Sequence, residues 1–589
     1  MKSRHLLPLS LLALSACGGG ADPGDPDPNN PDTPNTPAGC DVTKLTVTLT
    51  SPTADVHTRG AVTVQLAVSE QAEKVELLRD GTLLAVLTPP YTYAWDTAGA
   101  SEGTYSLSGR ATCGGKTVDS QPRAVSVDRT PPSVAARLPQ PGAQQVAVRD
   151  TFRVEFSEPL LPSSVNDAVL TVRSGATALE KTLSLSSDGR TLTVVPQGLV
   201  APASVELLFG PGLTDRAGNA LVVPSTAWSV TLPGWLAVGE GVPEETGYAF
   251  PSLPSLQFDA DGSPLVVFRA SNARYNQTQY GLFTRRFSAG AWSEWKPSIK
   301  QPIAPPISFA AGAQGHSVLA YPLYPDVSFR YYAPGQQQPL LHGYSRTEDP
   351  MAALAPNGEA VVASIEQGSF SPEVPPRLRF SRLGATVTSY PSIQGSSSVS
   401  RLYSLGLAVD AQGLPWVLYQ QSSQLYVQRY DGTAWRVAGT ALETYAMTGK
   451  AVMRLDAQGR PVVVWRRSDA IGEPSSFYIH RLEGNTWVPL GSGFAAGPLP
   501  PEAPTPSLAF DAQGNVVLAY AELRSSQIRV EVRQWTGSAW SSLGALSQTG
   551  GEVLVGPEGL ALDREGRLTA AVQVTTGSDP QVRVWRANR

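Results

Sequence analysis

Two rhythms of apolar and polar residues divide this chain. Between residues 40 and 232 apolar positions alternate with polar ones in short runs such as Leu45–Leu49, Val62–Leu66 and Lys74–Leu78, with turn residues every 8 to 12 positions. Successive side chains of a strand point to opposite faces, so this rhythm predicts half-buried strands packed face to face. Arg79-Asp80-Gly81-Thr82 supplies a hairpin turn between two of them. Asp128-Arg129-Thr130-Pro131-Pro132 interrupts the pattern. Its two prolines predict a stiff junction between one sandwich over 40–128 and a second over 129–232.

From residue 256 the rhythm changes. A motif of apolar-x-Asp-x-x-Gly followed by an apolar run returns seven times, with its glycines at Gly262, Gly315, Gly358, Gly413, Gly459, Gly514 and Gly566, spaced 53, 43, 55, 46, 55 and 52 residues apart. Repeats of that period are stacked units that cannot bury their apolar face alone. The runs after the glycine, such as Leu265–Phe268, Val318–Tyr321, Trp416–Tyr419 and Val462–Trp465, are nearly all apolar, as strands covered on both faces must be. Each repeat reads as four strands, shown best by 507–543, and the set predicts a seven-bladed β-propeller over 233–589. The last repeat ends at Arg589 without its fourth strand, whereas Pro233–Gly239 precedes the first repeat and carries a fitting Gly-Trp. That segment is expected to complete the seventh blade and remove its open edge.

Asp259, Asp410, Asp456, Asp511 and Asp563 occupy the turn, while Gly312 and Ala355 replace the acid in the other two repeats. A turn-capping role tolerates such replacement, because the glycine supplies the positive φ; calcium is the weaker alternative. A tryptophan recurs in the fourth strand at Trp292, Trp435, Trp487 and Trp540, with Arg286, Arg429, Arg481 or Gln534 six residues before it.

The N-terminus adds an address. Met1–His5 is basic and Leu6–Ala16 apolar, too short to span a bilayer as a mature helix. Leu14-Ser15-Ala16-Cys17 resembles the lipobox of bacterial lipoproteins. That resemblance implies a leader over 1–16, lipid on Cys17 and, with Gly18 rather than Asp following, an outer-membrane lipoprotein facing the cell surface or the periplasm. Residues 17–39, rich in Pro, Asp and Asn, cannot offset the entropy of ordering and read as a disordered tether.

Composition narrows the partners. The formal charge is −5, only 16% of residues are charged, and no basic block is present, which argues against nucleic acid. Cys40 and Cys113 most simply form a disulfide in an exported domain. Residues 75–113, with their Asp-Gly turn, Pro-Tyr-x-Tyr-x-Trp-Asp segment and Gly-Thr-Tyr strand, resemble bacterial Ig-like domains; Trp95 and Tyr105 are then core or corner residues. Segments 152–159, 188–194 and 213–219 are similar to the Ig-like type of surface-layer and adhesin-like proteins. Asp215 and Asn219 in the last of these read as an Asx turn with Gly218, calcium again being the alternative. The repeats loosely resemble sialidase-type propellers but lack the full Ser-x-Asp-x-Gly-x-x-Trp box. The expected fold class is therefore all-β: two Ig-like β-sandwiches followed by a seven-bladed β-propeller.

Catalytic signatures are sparse. No Gly-x-Ser-x-Gly elbow, Walker loop, His-Glu-x-x-His or dinucleotide fingerprint occurs, and beyond the leader only His57, His316, His342 and His480 remain. Candidate ligand residues cluster where second strands end: Arg269, Glu366, Gln420, Arg466, Arg467 and Glu522, with Arg274, Tyr275 and Asp469 in the loops beyond. Arginine with tyrosine and carboxylate suits a carboxylated sugar, by bidentate bonds and stacking, with a protein or matrix ligand as the other expectation. A non-catalytic binding or scaffold role is expected. The alternative is a sialidase-like hydrolase or lyase working in the channel, which would need its arginines and carboxylates to converge.

Overall fold

The computed structural model describes residues 40–589 apart from 42, 244–251, 273–278, 302, 304–305, 313, 337, 371–372, 397–400, 444–446, 468–475, 496–503 and 578. Residues 1–39, on which the expected leader, lipidated Cys17 and tether fall, lie outside the described residues. Ordered secondary structure is strand almost throughout, with two single-turn 3-10 segments at Pro162–Ser164 and Asp167–Val169. Among the described residues no helix is long and apolar enough to cross a membrane.

The chain divides into two compact units, one running to Thr130 and including Arg216–Asn219, the other holding the rest. In the first, Val47–Ser51, Val62–Val68 and Thr92–Trp95 form one sheet. Val56–Thr58, Arg123–Val127, Gly103–Cys113, Lys74–Arg79 and Thr82–Leu87 form the other. The alternation becomes an inward face of Val64, Leu66, Leu77, Leu107 and Val125, all nearly inaccessible. Trp95 packs edge-on against Tyr105 at 5.4 Å, and the Tyr105 hydroxyl donates to Ser101 O at 2.8 Å. A tyrosine bonded to backbone a few residues upstream is the corner device of Ig-type sandwiches. Asp80 and Gly81 have φ of 50° and 74°, as a two-residue hairpin with matched twist requires. Cys40 and Cys113 are bridged. In the chain-entropy picture, closing their 73-residue separation adds about 4 kcal/mol.

The second unit opens with a sandwich of two four-stranded sheets around Phe152, Val154, Leu192, Val205 and Trp228. Among the described residues, seven antiparallel sheets of four or five strands follow; all but the last are assembled in chain order, the third interrupted by a small two-stranded hairpin, Ser369–Phe370 with Glu373–Val374. Their second strands are buried in unbroken runs, as in Ala360–Ile365 and Val516–Ala521. Each first strand packs against the first strand of the next sheet, and Gly551–Leu562 of the last packs against Ser255–Phe258 of the first. The inner strands therefore close into a ring around an axis, the arrangement of a β-propeller.

The last sheet takes its outer strand from the other end of the repeat region: Trp235, Leu236 and Ala237 pair with Ala587, Arg586 and Trp585. Asn588 follows immediately and is buried. It accepts from Val148 N at 2.7 Å and donates to Val146 O and Pro233 O at 2.9 Å, tying the second sandwich to the ring. The recurring tryptophans join neighbouring sheets. The indole N–H groups of Trp292, Trp435, Trp487 and Trp540 donate to Glu240 O, Pro391 O, Thr440 O and Leu490 O, each 44 to 52 residues upstream.

Candidate functional site

The turn between first and second strands is built alike in all seven repeats. Each turn glycine has φ between 74° and 86° and donates its N–H to the carbonyl of the residue three before it. Where that residue is Asp, one carboxylate oxygen also accepts two backbone N–H groups; at Asp410 these come from Gln412 and Leu414, at 3.1 and 2.9 Å. The other oxygen is held by a long side chain. Arg429 and Trp416 bind Asp410, Arg286 binds Asp259, Arg460 binds Asp456, Gln534 and Asn515 bind Asp511, and Arg567 and Arg586 bind Asp563. Arg286, Arg429, Gln534 and Arg586 sit at one register position of the third strand, opposite the third residue after the glycine. This explains the arginine and glutamine that precede the tryptophans. Arg481 holds the same position but pairs with Glu483.

At the two turns without Asp that register position does something else. Opposite Val318 stands Tyr331, whose hydroxyl meets His316 Nδ1 at 2.7 Å and donates to Gly358 O at 3.1 Å. Opposite Val361 stands Arg382, paired with Glu359 at 2.7 Å. With no carboxylate at Gly312 or Ala355, a cavity of about 380 Å³ opens between these adjacent turns, lined among others by Gln314, His316, Pro356 and Asp410.

A second cavity, about 340 Å³, lies along the axis inside the ring of first strands. Its wall is largely apolar, with Phe309, Met351 and Leu407, but carries Gln257, Arg454 and Glu558. Glu558 reaches from the last sheet to the second: Ser308 Oγ donates to Oε1 and Phe309 N to Oε2, both at 3.2 Å. Burial raises the Glu558 carboxyl above its ordinary range, opposed by the Arg454 charge and by hydrogen bonds from Ser255, Phe309 and Ser308. The residue as a whole is half-buried and lines the cavity. An ionisable group in a concave site, with its protonation displaced by burial, marks a candidate binding site. The two cavities share Ala311, Leu354 and Val409, so the axial one extends toward the Asp-turn end of the strands.

The residues singled out from sequence stand at the opposite ends of the second strands. Arg269 lies 4.4 Å from the Tyr280 ring and donates to Ile303 O at 3.3 Å. Glu366 pairs with Arg377 and Arg379 of the adjoining strand, Gln420 donates to Ser422 O, and Glu522 pairs with Arg529. Arg466 is 5% exposed, and burial lowers its guanidinium from the ordinary range. Arg467 lies on the strand Pro461–Arg467, with its side chain outside the described residues, as are Arg274, Tyr275 and Asp469 entirely. The contacts of Arg269, Glu366, Gln420 and Glu522 are thus each with their own repeat. Sequence reasoning missed Glu558 and Arg454. A signal existed: Glu558 is an acid in an apolar first strand, framed by Gly556, Pro557 and Gly559.

Comparison with known proteins agrees with the sandwiches. Residues 46–108 match the family model described as bacterial Ig domain, and 128–231 match that described as bacterial Ig-like domain. The chain therefore contains two bacterial Ig-type domains ahead of its ring of sheets. No curated protein matches it. Similar solved structures include a fungal lectin from Aleuria aurantia described as a six-bladed β-propeller with fucose recognition, at 13% identity over 51% of this chain and 96% of the lectin, TM-score 0.34. The polysaccharide lyase Uly1 is similar at 10% identity, over 62% and 93%, TM-score 0.37. A putative 6-phosphogluconolactonase from Bacteroides uniformis is similar at 11% identity, over 51% and 88%, TM-score 0.36.

Proposed function

We propose that this is an exported cell-envelope lipoprotein in which Cys17 carries lipid, two Ig-type domains act as a stalk, and a seven-bladed propeller over 233–589 binds a carbohydrate without transforming it. The observation that carries the ligand class is the axial cavity. Its apolar wall, broken by one carboxylate, one guanidinium and one amide, matches a molecule with a C–H face and hydroxyl groups that both donate and accept. Glu558 and Arg454 carry opposite charges on one wall, and the Arg454 charge acts on the Glu558 carboxyl, so the wall as a whole favours a ligand of no net charge. Glycoside hydrolysis ordinarily requires two carboxyl groups flanking the bond. Among the described residues the cavity wall holds one, Glu558, which supports binding over turnover.

The test is a glycan array probed with the full chain and with Glu558→Gln and Arg454→Ala. Selective binding that both substitutions abolish, without product release from the bound glycan, is the expected result. Binding that survives both moves the site to the second-strand ends, where Arg269, Glu366 and Arg466 become the next substitutions. Release of a shortened or unsaturated product identifies the enzyme instead.

A further inference from the structure

Five turn carboxylates are locked by side chains, and the two repeats that lack one are neighbours in the ring. The consequence is spatial. The cavity between those two turns borders the axial one through Ala311, Leu354 and Val409. The outer cavity is chemically unlike the inner one. It presents the His316 imidazole, which stacks on Tyr331 with ring centroids 5.9 Å apart, and the exposed amide of Gln314. Backbone shapes it too: Gly358 lies so close to His316 that a Cβ there would fall 2.2 Å from the ring. Its floor is therefore fixed by packing, and its polar side chains are a flat ring, a hydrogen-bonding amide and the Asp410 carboxylate already held by Trp416 and Arg429; the ring and the amide suit a pyranose and its hydroxyls.

We infer that the axial site is entered from the Asp-turn face, between the second and third sheets, and that it takes an oligosaccharide whose terminal unit lies beside Glu558 and Arg454 while the next rests against His316 and Gln314. This rests on the carbohydrate reading above and adds to it the direction of entry and the length of the ligand. The entry face is opposite to the one that carries Arg269, Glu366 and Glu522. Missing turn acids are then a specificity device: an Asp at residue 355 would restore the side chain that the other repeats carry and fill the mouth of the groove.

Ala355→Asp and His316→Ala, each confirmed as folded by its thermal unfolding curve, are compared with the unaltered full chain on an array that carries mono- to tetrasaccharides of the same sugars. Affinity for tri- and tetrasaccharides is expected to fall about tenfold in both variants, as for one or two lost hydrogen bonds, while monosaccharide affinity stays within about twofold. Unchanged affinity for every glycan in both variants overturns the groove while leaving the carbohydrate reading intact. Equal losses for mono- and oligosaccharides also overturn it, since no second unit would then rest there. Absence of glycan binding by the unaltered chain overturns the carbohydrate reading, and this inference with it.

Discussion

The five turns that carry Asp and the two that do not share one backbone and differ in what stands on it. In the first group a carboxylate caps the turn and is clamped by a side chain, usually from the third strand; Asp410 is 5% exposed yet has both oxygens satisfied. In the second group the same glycine geometry persists at Gly315 and Gly358, with φ of 82° and 86°. The turn is thus specified by glycine and by its own backbone hydrogen bond, and the acid adds a lock rather than the fold. Where the lock is absent the ring has space, and a histidine, a tyrosine and a glutamate hold the site together instead.

Removing a lock should produce the largest effect. Asp410→Ala strands the Arg429 guanidinium and the Trp416 indole N–H, and about 3 kcal/mol of stability should be lost, read as an earlier urea transition by tryptophan fluorescence. Glycine substitution sharpens the contrast next. Gly459→Ala meets open space, so its cost is the left-handed conformation alone, about 1 to 2 kcal/mol. Gly358→Ala pays the same strain and drives a methyl group into His316, so its urea midpoint should fall further than that of Gly459→Ala.

Acidity acts with opposite signs on the buried imidazoles of the strands and on the axial carboxyl. Burial lowers the His342 and His480 imidazoles, so folded protein binds these protons more weakly than unfolded chain does. Their contribution is present above the unfolded value near 6.5 and is lost as pH falls through the folded value. His480→Gln should flatten the fall of melting temperature between about pH 7 and pH 5. Glu558 runs the other way. Its raised carboxyl contributes fully below the unfolded value near 4.3, and that contribution is lost as pH rises through the folded value, so Glu558→Gln should melt higher than the unaltered chain at neutral pH. The smallest effect belongs to Ala355→Asp, which adds a capping carboxylate at an existing turn and should move stability by less than about 1 kcal/mol. A large loss there would mean that the two turn classes differ in backbone as well as in side chain.

Much of this architecture was legible because local rules wrote it. Alternation marked the sandwich strands, unbroken apolar runs marked strands covered on both faces, and Asp-x-x-Gly marked the turns. The unpaired end of the last repeat, with Trp235 upstream, pointed to the strand that pairs with Trp585–Ala587. The candidate site was less legible. Charged residues at strand ends drew attention to one face, yet Glu366 and Glu522 are engaged by arginines of their own repeats. Glu558 was hidden because its significance depends on Ser308 and Phe309, some 250 residues away.

Sequence alone therefore determined the strands, the turns, the repeat and the disulfide partners, since each depends on residues close in the chain or, for Cys40 and Cys113, on their lying in one small domain. Tertiary structure alone decided what the ring encloses. Which acid faces the axis, which turn is locked by which arginine, and where a missing side chain becomes a cavity are set by the closure of the inner strands, which brings the last sheet against the first and Glu558 to the second.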